Sequence, residues 1–396
     1  MFPKPFTFSN LTLLTADGII GHRLRVKGRR IVAIDEPPQR GDVVIDGQGG
    51  LLIPGLINAH DHLELNTFKR LKYRERYSHS LQWIEDIEAR FETDPALIEP
   101  RRQPLADRLL IGALKNLLCG VTTVCHHNPL YRTLRWRHPI RVVKEYGFCH
   151  SLFRGDEPGE SYRQTGRRDP WIIHLAEGVD AAAAAEFDRL ASMGLVQANT
   201  ILVHGVGLVA GQRQRLIKRG GGLIWCPASN DFMFGRTASV EALAQAGKLA
   251  LGSDSRLSGA FDLLAELRAA AATNQLSPRA LFRTVTTDAA RLLRLRAGGQ
   301  GLIRVGGAAD LVLLPPVAGA DPYAALLQVD RSQLALVLHG GRPLVGAMRL
   351  AGLFEATRTP AGQVTLDGVP KLMPRSLVER ARQATVGESG LALGPA

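Results

Sequence analysis

The 396-residue chain has only four cysteines, Cys119, Cys125, Cys149 and Cys226, and no two of them form a C-x-x-C pair. That argues for reduced thiols in a cytoplasmic protein. No run of about eighteen apolar residues occurs, so a membrane-spanning helix is not expected. The opening Met1-Phe2-Pro3-Lys4-Pro5 lacks the long apolar stretch of a signal peptide. There is no internal repeat and no low-complexity tract. No Gly-rich phosphate loop and no G-x-S-x-G elbow are found, which removes the common nucleotide-binding and serine-nucleophile signatures. Acidic residues are outnumbered, 37 against 49 basic ones, for a net charge of +12. The excess is mostly arginine scattered along the chain, as at Arg101-Arg102, Arg167-Arg168 and Arg291 to Arg296, without a recognisable nucleic-acid motif. Neither nucleic acid nor membrane is expected as a partner; a small molecule is.

What is present is patterned. Residues 8–53 read as short strands separated by Gly21, Gly28 and Gly41. From about 54 to 300, apolar strand candidates at 51–58, 121–125, 147–153, 171–175, 200–204, 223–226 and 249–253 alternate with helical stretches at 78–92, 102–118, 180–193, 238–246, 260–272 and 278–293. This α/β alternation predicts a (β/α)8-type TIM barrel, with an open doubly wound sheet as the alternative. After 300 strands return at 301–303, 309–314 and 334–338. The two flanking β regions, 1–53 and 301–375, are expected to pair into one small β-sandwich domain, because each alone would have a poor core. Residues 376–396 read as a C-terminal helix and tail, mobile from about 383.

Chemistry-bearing residues fall at strand ends. In Asn58-Ala59-His60-Asp61-His62, two imidazoles lie two residues apart, a spacing that puts them on one face of a strand. His174 closes Trp171-Ile172-Ile173, His204 closes Ile201-Leu202-Val203, and Asp254 follows Ala250-Leu251-Gly252-Ser253. Barrel enzymes keep their chemistry at the C-terminal ends of the strands. Three imidazoles and a carboxylate there suit one divalent metal ion, zinc ahead of iron(II).

These segments, in this order, resemble the amidohydrolase superfamily. Pro54 to His62 is similar to its first-strand signature and Gly120-Val121-Thr122-Thr123-Val124 to its second strand. His174-Leu175-Ala176-Glu177 resembles its fifth-strand H-x-x-E, and Val203-His204-Gly205 its sixth. Cys226-Pro227-Ala228-Ser229-Asn230 and Leu251-Gly252-Ser253-Asp254 resemble the seventh and eighth, and Ala308-Ala309-Asp310-Leu311-Val312 the return into the β domain. The nearest branch is the aminohydrolases, with their cytosine, guanine and adenosyl-type deaminases and triazine hydrolases. The resemblance implies one metal held by His60, His62, His174 and Asp254. Two-metal members carry a fourth-strand lysine, and Phe148 to His174 contains none. It implies Glu177 as the proton shuttle, His204 as the group that holds the attacking hydroxide or stabilises the oxyanion, and Asp254 as a sharer of the base role. His126, His127, Trp83, Ser229 and Asn230 are candidate substrate contacts. A homodimer is common for such barrels. The chain lacks P-C-x-x-C, so it is unlike the small zinc deaminases.

One departure stands out. Only Arg154 to Pro170 separates the strand at 147–153 from Trp171, and about sixteen residues cannot supply a strand, a helix and their turns. The fourth β/α unit is therefore expected to be truncated or missing. Three functional readings follow: a metal-dependent deaminase of a heterocyclic or amidine-like molecule; a metal-dependent cyclic amidase or dehalogenating hydrolase; and a non-catalytic binding protein that keeps the fold.

Overall fold

The computed structural model describes residues 3–136, 138–153, 157–316, 319 and 321–394. The fold is mixed α/β, and its central part is built on parallel strands. Strands β1 (Leu56–Asp61), β2 (Val121–His126) and β3 (Arg141–Val142) pair in parallel. So do β4 (Gly147–Cys149), β5 (Trp171–Leu175), β6 (Thr200–His204), β7 (Gly222–Trp225) and β8 (Leu249–Leu251), in that order. The two sheets meet just beyond β8, where the Asp254 N–H donates to the His60 carbonyl at 3.1 Å.

Both faces of these strands are buried, which is why they read as near-continuous apolar runs. Alternate residues go to different cores. Ile57, Ala59, Cys125, Ile172, Ile201, Val203, Ile224 and Ala250 form one cluster. Leu56, Val124, Ile173, Leu202, Leu223 and Leu249 join a second, larger one with helical residues such as Leu110, Leu114 and Phe187. Helices Leu105–Leu118, Ala181–Ser192 and Leu263–Ala272 supply that outer layer. Asp180 and Asp262 cap the latter two by accepting from the N–H groups of Ala183 and Ala265. The helical reading at 278–293 divides into Pro278–Thr284 and Thr287–Leu292. Thr286 lies outside the helical region, its hydroxyl turned back to the Phe282 carbonyl.

The flanking regions meet in one eleven-stranded sheet, where Val43–Pro54 pairs antiparallel with Leu311–Leu314. The apolar run at 51–58 splits at Gly55 between this sheet and β1. A Cβ there would lie 2.3 Å from the Thr122 hydroxyl, so only glycine lets the chain pass. Residues 301–303 form no strand.

Two expectations need correction. The fourth unit is present. The segment read as a third strand is β4, paired with β5, and Pro158–Gln164 is its helix. Arg154, Gly155 and Asp156 lie outside the described residues. Chain is saved between β3 and β4, where only residues 143–146 intervene and no helix fits. A two-residue β3 leaves too short an apolar run to be read.

The tail, too, is anchored. Leu391–Leu393 pairs with Ala361–Leu366. The buried Glu388 carboxylate accepts from Arg256 at 2.7 and 2.9 Å and from Arg331 at 2.8 Å. Arg331 is held a second time by Asp367. Glu388→Leu should leave two guanidinium groups without this partner and lower stability by about 3 kcal/mol. The shift of the urea unfolding midpoint measures it, and a midpoint within error of the parent would refute the anchoring role. No helix among the described residues is long and apolar enough to cross a membrane.

Candidate metal centre

The expected ligands converge. His60 Nε2 lies 3.2 Å from His174 Nε2 and 3.9 Å from Asp254 Oδ1, and His62 Nε2 lies 3.6 Å from the same oxygen. The donors form two triads that share His60. One is His60, His62 and Asp254; the other is His60, His174 and His127, with ligand atoms in each within 4.8 Å of one another. Burial, followed by the neighbouring imidazoles, pushes His60 and His174 well below the ordinary histidine pKa. Their lone pairs are thus free for a cation. His174 is aimed by its Nδ1, 2.8 Å from the His150 carbonyl, an arrangement typical of metal-binding histidines. The donor set, neutral imidazoles facing one another beside a carboxylate, fits a divalent metal.

The strand ends that carry the site are strained. Ala176, His204 and Asp254 have φ of 54°, 71° and 51°. Such left-handed conformations cost a non-glycine residue of order 1–3 kcal/mol each and cluster at functional sites. Asp254 is locked in place by the Ser229 and Ser258 hydroxyls, 2.8 and 2.7 Å from Oδ2, and by the Ser255 N–H on Oδ1. Burial alone would raise its pKa. His62, His204 and the two hydroxyls outweigh that and hold it below the usual carboxylate value.

Glu177 Oε1 is 3.3 Å from His204 Nε2. The Asn230 amide donates to Thr237 through Nδ2, which turns its Oδ1 to His204 Nδ1 at 2.8 Å. This orientation assigns the N–H of neutral His204 to Nδ1. The contact between Nε2 and Glu177 is then attractive only when one proton lies between them. Burial raises the pKa of Glu177, with Asp254 adding to the shift and His204 opposing it, so this carboxylate is suited to carry the proton.

A cavity of about 140 Å³ opens onto these groups, lined by His62, Trp83, Glu177, His204, Asp254 and Ser258 among others. Two larger grooves, of about 1020 and 1040 Å³, touch none of the candidate metal ligands. Of the candidate substrate contacts, only Trp83 is on the cavity wall. Ser229 and Asn230 are instead turned to Asp254 and His204. His126 accepts from the Leu63 N–H and faces Glu64 at 3.8 Å, and the His127 ring packs 4.3 Å from that of His174.

A buried network missed in the sequence supports the H-x-H turn. Lys115 is fully buried. Its Nζ donates to Asp61 Oδ2 at 3.3 Å, Asn66 Oδ1 at 2.8 Å, Ser253 Oγ at 3.0 Å and the Asp254 carbonyl at 2.9 Å. Asn58, Asn66 and Asn116 also donate to Asp61, the residue between the two histidines. The signal was a Lys-Asn pair inside the apolar helix Leu105–Leu118.

Residues 172–342 match the amidohydrolase family. The chain is 26% identical to 5-methylthioadenosine/S-adenosylhomocysteine deaminase 1 of Archaeoglobus fulgidus, over 83% of this chain and 88% of the relative. It is 25% identical to the 8-oxoguanine deaminase of Pseudomonas aeruginosa, over 89% and 97%. In structure it is similar to the atrazine chlorohydrolase TrzN of Arthrobacter aurescens TC1 complexed with zinc, with a TM-score of 0.70 at 19% identity, covering 89% of this chain and 100% of that one. By this match and these relatives, the chain is a hydrolytic enzyme, similar over residues 172–342 to the amidohydrolase family and along most of its length to deaminases.

Proposed function

We propose that this enzyme deaminates a small, flat, amidine-like heterocycle at a single divalent metal ion held by His60, His62, His174 and Asp254, with zinc the first choice. The deaminases among its relatives support the reaction. A single ion is favoured because a neutral imidazole has one lone pair, so His60, shared by both triads, cannot bind two ions at once. The eight parallel strands are read as one closed barrel over residues 54–300. The alternation between two cores and the Asp254–His60 link support that reading. The eleven-stranded sheet is read as a small sandwich-like domain from 1–53 and 301–375.

The observation that carries the function is the proton-bearing pair Glu177–His204 set against the donor cluster in one enclosed cavity. When bound, the metal acidifies water and polarises the group under attack. Glu177 takes the proton from the attacking water and passes it to the leaving nitrogen, which must be protonated to depart as ammonia. His204, oriented by Asn230, can donate through Nε2 to the oxygen that develops negative charge when the proton it shares with Glu177 lies on that nitrogen. Asp254, dressed by three donors, remains ionised and shares in orienting the water.

The size of the cavity supports a substrate class. At about 140 Å³ it is well below the roughly 300 Å³ at which sites for drug-sized ligands begin. A free base or a triazine-sized ring fits; a nucleoside does not. Ammonia release across free purines, pyrimidines, pterins and triazines, set beside their nucleosides, tests this. We expect kcat/KM on the best base to exceed that on its nucleoside by about 100-fold, the effect of some 3 kcal/mol of misfit. Equal or better turnover of the nucleoside would refute the size argument. The likeness to a chlorohydrolase favours a second reading, displacement of halide from a ring, and the same panel should include chlorinated triazines.

A further inference from the structure

His127 follows the end of β2 and is only 1% exposed. Its backbone N–H donates to the Asp61 carbonyl at 3.0 Å, which seats it beside the two histidines of the first strand. Its ring centroid lies 4.3 Å from that of His174 and 5.0 Å from that of His60. Both of its ring nitrogens are closed off from solvent, and neither has a hydrogen-bond partner among the described residues. A neutral imidazole carries one N–H and one lone pair, and burying both unpaired is unfavourable.

Two other roles fit less well. His127 is absent from the wall of the substrate cavity, so it is not placed to touch a bound ring. As plain packing it would be a poor choice, since an apolar ring would fill the space without stranding two polar atoms. The His60 and His174 nitrogens that face it are donors of lone pairs, and a cation at their centre turns that gathering into an attraction. One of its nitrogens is within 4.8 Å of the ligand nitrogens of both His60 and His174.

We infer that His127 is a further protein ligand of the metal, joined to His60 and His174, so that the donor set here is four imidazoles and one carboxylate. The inference rests on the reading of one metal at this centre. Zinc accommodates five ligands as well as four. The added imidazole would hold the ion more tightly and leave fewer positions for water than a four-ligand set does.

The test uses the full-length enzyme and the variant His127→Phe, which keeps the ring and removes the nitrogens. We expect the variant to retain its circular dichroism while its zinc dissociation constant, from chelator competition, rises by about 100-fold or more. Replacement of zinc by cobalt(II) should give a weak visible spectrum in the parent and a stronger one in the variant, as the ion loses one ligand. A folded variant with parental zinc affinity and an unaltered cobalt spectrum would overturn the assignment. Should His127→Phe not fold, the parent suffices. Its cobalt form should show four paramagnetically shifted imidazole N–H proton signals, and three would overturn the assignment. None of these readouts depends on turnover, so a metal-loaded enzyme that releases no ammonia would count against the deaminase reading alone.

Discussion

Glu177→Gln is expected to lower kcat for ammonia release by roughly 10³-fold, within the 10²–10⁴ range typical of a lost acid–base group. The glutamine keeps the volume and polarity of the side chain but can neither accept the water's proton nor hand it on. Bound metal should be unchanged, because Glu177 belongs to neither donor triad. The same residue also sets the acid limb of the pH profile. Its pKa is raised above the 4.5 usual for a glutamate, chiefly by burial. The ionised form needed to take a proton is therefore lost as pH falls through a value above 4.5, and kcat/KM should drop there with unit slope. The limb should disappear from the residual activity of the variant. Stopped assays of ammonia over pH 4–8, with metal content measured alongside, check both parts. A variant within tenfold of the parent would remove Glu177 from the mechanism. Chloride leaves without a proton. If the enzyme also acts on chlorinated rings, only the water's proton remains for Glu177 to take, and that activity should suffer less in Glu177→Gln than ammonia release does.

Lys115→Met should have the second largest effect, on stability and on the metal together. Lys115 and Asp61 are both fully buried, and among the described residues the ammonium is the only cation paired with that carboxylate. Removing it strands a buried charge, at a cost of about 3–5 kcal/mol. Asp61 sits between His60 and His62, and the Lys115 ammonium also binds the carbonyl of Asp254. The network thus holds β1 and the chain beyond β8 in register at the metal. Zinc affinity should fall by about 10–100-fold, as for other losses behind metal ligands. The double variant Lys115→Met/Asp61→Asn removes both charges and should recover most of the lost stability. Urea unfolding and chelator competition on the three proteins measure this. A single variant as stable as the parent, or a double variant no better than the single one, would mean that the pair does not act as a unit.

The donors were legible in the sequence because strand geometry is local. A spacing of two residues places His60 and His62 on one face, and His174, His204 and Asp254 each stand where an apolar strand stops. Those features depend only on the residues before them. The alternation of strands and helices was legible for the same reason, and so were the long helices at 105–118 and 181–192. β3 was not, because two residues carry no period. The fourth unit was misread in consequence: once 147–153 had been taken for the third strand, too little chain seemed left for another.

Composition and spacing by themselves determined an α/β molecule with imidazoles and a carboxylate gathered at strand ends, and the resemblance of those segments to a known family added the hydrolytic chemistry. Only the tertiary structure decided which groups stand behind them. Lys115 is 54 residues from Asp61 in the chain, and Glu388 is 132 from Arg256, yet each pair is in contact. Electrostatic and hydrogen-bonding partners are chosen by proximity in space, which no local pattern encodes. The same holds for His60 and His62. Their spacing marked them as a pair, but the fold made His60 the member shared by two donor triads and set His127 beside it.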